Sequence, residues 1–285
     1  MFLATYLVLF AIAAQAQTGM SRLMLANVTD ARGRAIVDLG PDDFVVQEAA
    51  ATREILSVRV TDYPIIVVLE TGSASEEEFA LAQKAAARFI ERLGNERPVI
   101  VATGGTPPRL LATFDDARKT VLDRLNALEP GRSAEASRAN GTRRLGAAAL
   151  AAQALHGTGT LFSSIVLLST VARDEDTEPG ADVLAPIVES GAIVHAIVQT
   201  PSRPEPGTRN PLLTGLRALV NQTRGEFTPI YSAASFQAAL DRLVDRLGNE
   251  MLIEYLVPPG SKPIDPKIGI RVPGARVRGL GVAPR

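Results

Sequence analysis

Apolar and polar positions change period twice along the chain, and the changes divide it into three parts. From Arg22 to Val60 apolar residues alternate with polar ones in short runs, LMLANVTD, DFVVQE and EILSVRV, with the turn Ala31-Arg32-Gly33-Arg34 between the first two. Period-two alternation bounded by turn residues predicts short half-buried strands. After Pro64 the alternation gives way to unbroken apolar runs. Ile65 to Leu69 is a continuous run of Ile, Val and Leu, the pattern of a strand buried on both faces of a parallel sheet. Further strands are predicted at Val99 to Thr103, Leu110 to Phe114, Ser164 to Ser169, Ile193 to Val198 and Glu226 to Tyr231. Beyond Gly248 the segments MLIEYLV, KIGIRV and ARVRGLGV return to short strands between Pro and Gly turns, and these are expected to join the amino-terminal strands.

Most gaps between the central strands carry helical spacing. Ser75 followed by Glu78 makes a capping box, and Phe79, Ala82, Ala86, Phe89, Ile90 and Leu93 fall on one face before Gly94. A second helix is predicted from about Asp116 to Leu128, and an Ala-rich third from about Arg143 to Leu155, whose small residues allow close approach to a sheet. Asn210-Pro211 opens another helix, and Phe236, Leu240, Leu243 and Leu247 mark a last one ending at Gly248. Only Gly104 to Pro108 separate two of the strands, too few residues for a parallel crossover, so that pair is predicted to be an antiparallel hairpin. The fold class is α/β: a mostly parallel sheet with one antiparallel edge strand, covered by helices, plus a small β unit built from both ends of the chain. The expected divisions are 17–62 for the amino-terminal strands, 63–248 for the α/β domain and 249–285 for the closing strands.

Composition narrows the function classes. With 30 basic and 31 acidic residues among 285, the net charge of -1 offers no global field for nucleic acid or an anionic surface. The first sixteen residues, MFLATYLVLFAIAAQA, are apolar and end in Ala14-Gln15-Ala16, a small-x-small cleavage pattern, so residues 1–16 are expected to be a signal peptide and the protein exported, periplasmic or extracellular. An uncleaved anchor or a buried segment are the alternatives, and the first is the only membrane attachment foreseen. The absence of cysteine excludes thiol catalysis and thiolate metal sites and leaves stability to the core.

Candidate chemistry gathers where the first parallel strand ends. Ligand sites in open α/β sheets lie beyond the carboxyl ends of strands, which places Glu70, Ser73 and Ser75 there. A serine nucleophile at Ser73 needs a base, and the two histidines are His156, near a helix end, and His195, inside the apolar run AIVHAIV. Gly104-Gly105 lacks the Lys and Ser/Thr of a phosphate-binding loop. No small-molecule substrate is implied.

The order of parts resembles the von Willebrand factor A-like proteins of bacteria, in particular the exported VWFA-related group. The resemblance is carried by VTDARGRAIVDLGPDDFVVQE, IIVVLETGSAS, NGTRRLGAAALAA, IVLLSTVARDED, and EYLVPP followed by IRVPGARVRGLGVAP. It implies a six-stranded Rossmann-like sheet whose carboxyl edge holds a divalent cation in a metal-ion-dependent adhesion site. That site is built from Asp-x-Ser-x-Ser after the first strand, a Thr before the third helix and an Asp after the fourth strand, and a partner's carboxylate completes the coordination.

Aligned without gaps, these positions are Glu70, Gly72, Ala74, Thr142 and Thr170, so only the Thr is retained. Magnesium requires near-octahedral oxygens at about 2.0 to 2.1 Å, and the altered set is expected to hold no metal and need no cofactor. A shifted alignment makes Ser73, Ser75 and Thr142 the ligands of a magnesium-dependent adhesion domain, and that is the alternative; a serine hydrolase is the third reading. The first expectation is a non-enzymatic exported module that binds an unidentified protein partner. Its binding rim would comprise Ser73, Ser75, Arg132, Arg138, Arg143 and Arg144, guanidinium groups meeting a partner's carboxylates directly.

Overall fold

In the computed structural model, the described residues are 19–70, 74–104, 107–129, 145–170, 180–200, 210–261 and 266–283. Strands β1 (Met20–Thr29), β2 (Phe44–Glu48), β3 (Ala51–Arg53) and β4 (Ile55–Val60) come first. The α/β part follows with β5 (Ile65–Glu70), α1 (Glu76–Arg92), β6 (Val99–Thr103), β7 (Arg109–Leu110), α2 (Arg118–Asn126), α3 (Gly146–Gly157) and β8 (Ser164–Thr170). It ends with α4 (Ala181–Glu189), β9 (Ile193–Gln199), α5 (Pro211–Gln222), β10 (Phe227–Ile230) and α6 (Ser235–Leu247). The closing strands are β11 (Glu250–Val257), β12 (Lys267–Ile270) and β13 (Arg276–Val282).

Six strands form the central sheet in the order β10-β9-β8-β5-β6-β7. Every neighbouring pair is parallel except β6 and β7, the predicted hairpin. β5 is buried at all six positions, as its unbroken apolar run requires. Helix α1 packs on α2 and α6, and α4 on α3 and α5. In α3 the buried residues are Ala147, Ala148, Ala151, Ala152 and Leu155; their short side chains let the helix lie against β5, β6 and β8. Gly225 is needed where the chain turns into β10, because a Cβ there would stand 1.8 Å from the Val194 carbonyl oxygen.

Two antiparallel sheets, ordered β13-β1-β11-β4 and β12-β2-β3, face each other across a second core. Alternate residues of β1 serve different cores: Met24, Ala26 and Val28 enter the sandwich, whereas Leu25 belongs to the larger core, as do Leu252 of β11 and Leu280 of β13. The four-stranded sheet is therefore a wall shared by the two parts. Period-two alternation normally leaves one sheet face to solvent, but here the central strands β1 and β11 are covered on both faces.

Some boundaries differ from the sequence expectations. The strand expected at Leu110 to Phe114 stops at Leu110, because the Asp116 carboxylate accepts from the Thr113 amide (2.8 Å) and hydroxyl (3.2 Å) and pulls the chain into a turn. The same turn delays α2 to Arg118. The third helix begins at Gly146, and Arg143 and Arg144 lie outside the described residues. Helix α4, with Pro186 inside it, had no individual prediction.

Candidate functional site

Glu70 ends β5 at the carboxyl edge of the central sheet and is 8% exposed. Its Oε2 accepts from the Leu145 amide at 2.8 Å and its Oε1 from the Ala147 amide at 3.2 Å. These are backbone donors at the start of α3, which no earlier turn of helix can satisfy, and the helix dipole favours a carboxylate at that end. No side chain of α3 itself caps the helix. Leu145, the residue before it, has φ 70 and is 1% exposed, a left-handed conformation that a non-glycine residue holds only when its surroundings impose it. The Glu70 hydrogen bond and the burial of the Leu145 side chain supply that constraint. A strand end, a helix start and a strained residue are thus joined by one carboxylate.

Ser75 performs the predicted cap. Its Oγ accepts from the Glu78 amide at 3.2 Å, and Glu78 Oε2 accepts in return from the Ser75 amide at 2.9 Å. The other oxygen of Glu78 accepts from the Gln199 side-chain amide at 2.6 Å, which ties the end of β9 to the start of α1. Donation from the Ser75 amide, helped by Gln199 and the Ser75 hydroxyl, holds the Glu78 carboxyl below its ordinary value against the opposing effect of burial. Gln199 did not stand out in the sequence, since a polar residue closing an apolar strand is ordinary. Thr170 ends β8 and is 5% exposed. Ala74, half-buried, offers no oxygen. Gly72, Ser73, Arg132, Arg138, Thr142, Arg143 and Arg144 lie outside the described residues.

At the described positions, the side-chain oxygens that the resemblance would give to a divalent cation have other partners. Glu70 has both oxygens directed at helix amides, Ala74 has no donor atom, and Ser75 Oγ is engaged in the cap. Among the described residues no group of three or more His, Asp or Glu side chains is arranged around a metal position.

Neither histidine stands at this edge. His156 is exposed in the last turn of α3, about 15 Å along the helix from the end that Glu70 caps, given 1.5 Å per residue. His195 pairs in register with Val166 inside the sheet and is 4% exposed. Burial, with the Arg246 and Arg278 charges nearby, lowers its pKa to about 3 and keeps it neutral.

No protein-family model matches the sequence, and no curated protein matches it significantly. Among solved structures, the von Willebrand factor type A protein from Catenulispora acidiphila superposes over 94% of this chain and 74% of that one. The TM-score is 0.52 at 13% identity. The chain has the von Willebrand factor A fold. Two further solved structures match over about two thirds of the chain: BatB from Bacteroides thetaiotaomicron, with 14% identity, 66% of this chain, 98% of that one and TM-score 0.47; and the vWF domain of the type V pili tip protein Mfa5 from Porphyromonas gingivalis, with 10%, 64%, 93% and 0.45. In this A-type sheet Glu70 occupies the strand end at which the resemblance places the metal-bearing Asp. No helix among the described residues is long and apolar enough to cross a membrane.

Proposed function

We propose that the protein is a non-enzymatic, exported interaction module of von Willebrand factor A type that binds a protein partner at the carboxyl rim of its sheet without a metal ion. The observation that carries this reading is the Glu70 carboxylate, which bonds the amides of Leu145 and Ala147 where a metal ligand is expected. A carboxylate facing two helix amides already has its charge compensated and offers little to a cation. The distance of both histidines from the rim supports the absence of hydrolase chemistry, since a general base must lie within hydrogen-bond reach of its nucleophile. The apolar leader ending Ala14-Gln15-Ala16 supports export.

With no cation to bridge acidic groups, the cationic side chains on Arg132, Arg138, Arg143 and Arg144 become the recognition elements, suited to bidentate pairing with carboxylates of a partner. The experiment is affinity capture from the native envelope with the wild type and with the quadruple Arg→Ala variant, each with and without a chelator. The expected result is a partner retained in chelator and lost with the four arginines. Identical partner sets for the two proteins, or loss of the partner in chelator, contradict the proposal.

A further inference from the structure

The chain passes between the β sandwich and the A-type domain twice, at residues 61–64 and at 248–249, and a buried polar cluster ties the two crossings together. Glu250, the first residue of β11, is fully buried. Its carbonyl accepts from the Thr61 amide at 3.0 Å and its Oε2 accepts from the Tyr63 hydroxyl. Arg97, 5% exposed, lies over the Tyr63 ring at 5.2 Å and donates to the carbonyls of Thr61 and, at 3.1 Å, Leu247. One guanidinium therefore grips the chain on both crossings.

Titratable groups act on Glu250 from four places, Tyr63 on the first crossing, Arg97 ahead of β6, Arg246 on α6 and Arg278 on β13, while its register partner on β1 is the uncharged Asn27. Arg246 is itself paired with Glu226, and His195 of β9 stands near Arg246 and Arg278. Glu250 Oε1 and Arg97 Nη1 are buried with no hydrogen-bond partner among the described residues. A carboxylate with one oxygen unpaired and no access to water is disfavoured as an ion, and the arginines compensate it in part only. Burial lifts Glu250 to about 7, opposed by the Tyr63 hydrogen bond and by the charges of Arg97, Arg246 and Arg278. Burial also lifts Tyr63 well above its ordinary value, so it remains a neutral donor throughout.

We propose that the two crossings form a proton-sensitive clamp, closed while Glu250 carries its proton and opened when the carboxyl ionises and draws in water. The direction follows from linkage. The closed state holds a proton that the opened, hydrated carboxyl releases near its ordinary value of 4.5, so opening becomes easier as pH rises from 4.5 to about 7 and levels off above that, where both states are ionised. Between pH 6 and pH 8 the opening constant is expected to rise roughly tenfold. His195 does not oppose this, because a local opening at the crossings leaves it in the sheet, neutral down to about pH 3.

The test is hydrogen exchange of the full chain, read at the Thr61 amide after correction for intrinsic rate, with β8 amides as reference, in the wild type and in Glu250→Gln. A roughly tenfold rise from pH 6 to pH 8 in the wild type that is flat in the variant supports the clamp. Equal pH dependence in the two proteins overturns it. If Glu250→Gln does not fold, the carboxyl carbon of Glu250 in the wild type decides by NMR titration: a midpoint near 7 supports the clamp, and one near 4.5 overturns it.

Discussion

Replacing either Arg22 or Glu48 by alanine is expected to destabilise the chain by about 3–5 kcal/mol. The two side chains, 3% and 2% exposed, form an ion pair between β1 of the four-stranded sheet and β2 of the three-stranded one. They close one end of the sandwich core that contains Met24, Phe44, Val46 and Tyr255. Arg22 also donates to the Ser261 carbonyl, and Arg53 Nε lies 3.7 Å from Glu48 Oε2, so a further group depends on each charge. Removing one partner leaves the other charged, buried and incompletely bonded, and that residual charge produces most of the loss. Replacing both together, Arg22→Met with Glu48→Leu, is expected to recover part of the stability, because neither member of the pair is left stranded, although Arg53 loses the Glu48 carboxylate 3.7 Å from its Nε. Denaturant unfolding of the three variants checks this. Single variants within about 1 kcal/mol of the wild type would place the pair among the weak ones typical of exposed surfaces.

Glu70→Ala is expected to lower stability by about 2–4 kcal/mol, since it removes two hydrogen bonds to a charged acceptor and leaves the Leu145 and Ala147 amides buried without that partner. The informative comparison is Glu70→Asp. It restores the residue type that the resemblance places at this strand end, yet it withdraws the carboxylate by one methylene from the amides. If Glu70 is a latch for α3, the aspartate variant also loses stability, and amide exchange at the first turn of α3 accelerates in both variants. An aspartate variant as stable as the wild type contradicts the latch. The strained φ of Leu145 makes the effect local, because releasing its amide removes the bond that holds that residue in the left-handed region.

Much of this architecture is legible in the sequence, and the exceptions have physical causes. The parallel sheet and the β6–β7 hairpin follow from unbroken apolar runs and a connection too short for a crossover. The α1 cap follows from Ser75 and Glu78 alone. Strand β3 was hidden because the turn joining it to β2 is Ala49-Ala50, with φ of 51 and 62. Two-residue turns of that geometry favour Asn and Gly, so alanines there send no signal. Helix α4 was hidden by Pro186, which ordinarily marks a break.

At the site, sequence reasoning identified Glu70 as a departure but not what it does instead. The partners are backbone amides 75 and 77 residues away, and backbone donors carry no residue signature. Arg22 and Glu48 escaped for a related reason. Charged residues on alternating strands read as solvent-facing until the second sheet that covers them is placed, and Arg97 and Glu250 sit at a junction that only the fold creates.

The proposal that the rim binds its partner without a metal rests on Glu70, whose carboxylate bonds the Leu145 and Ala147 amides. Calorimetric titration of the wild-type chain with magnesium and then manganese tests it most directly. The predicted result is no saturable heat through the millimolar range. Submillimolar binding of either ion, lost in Glu70→Ala, would contradict the claim.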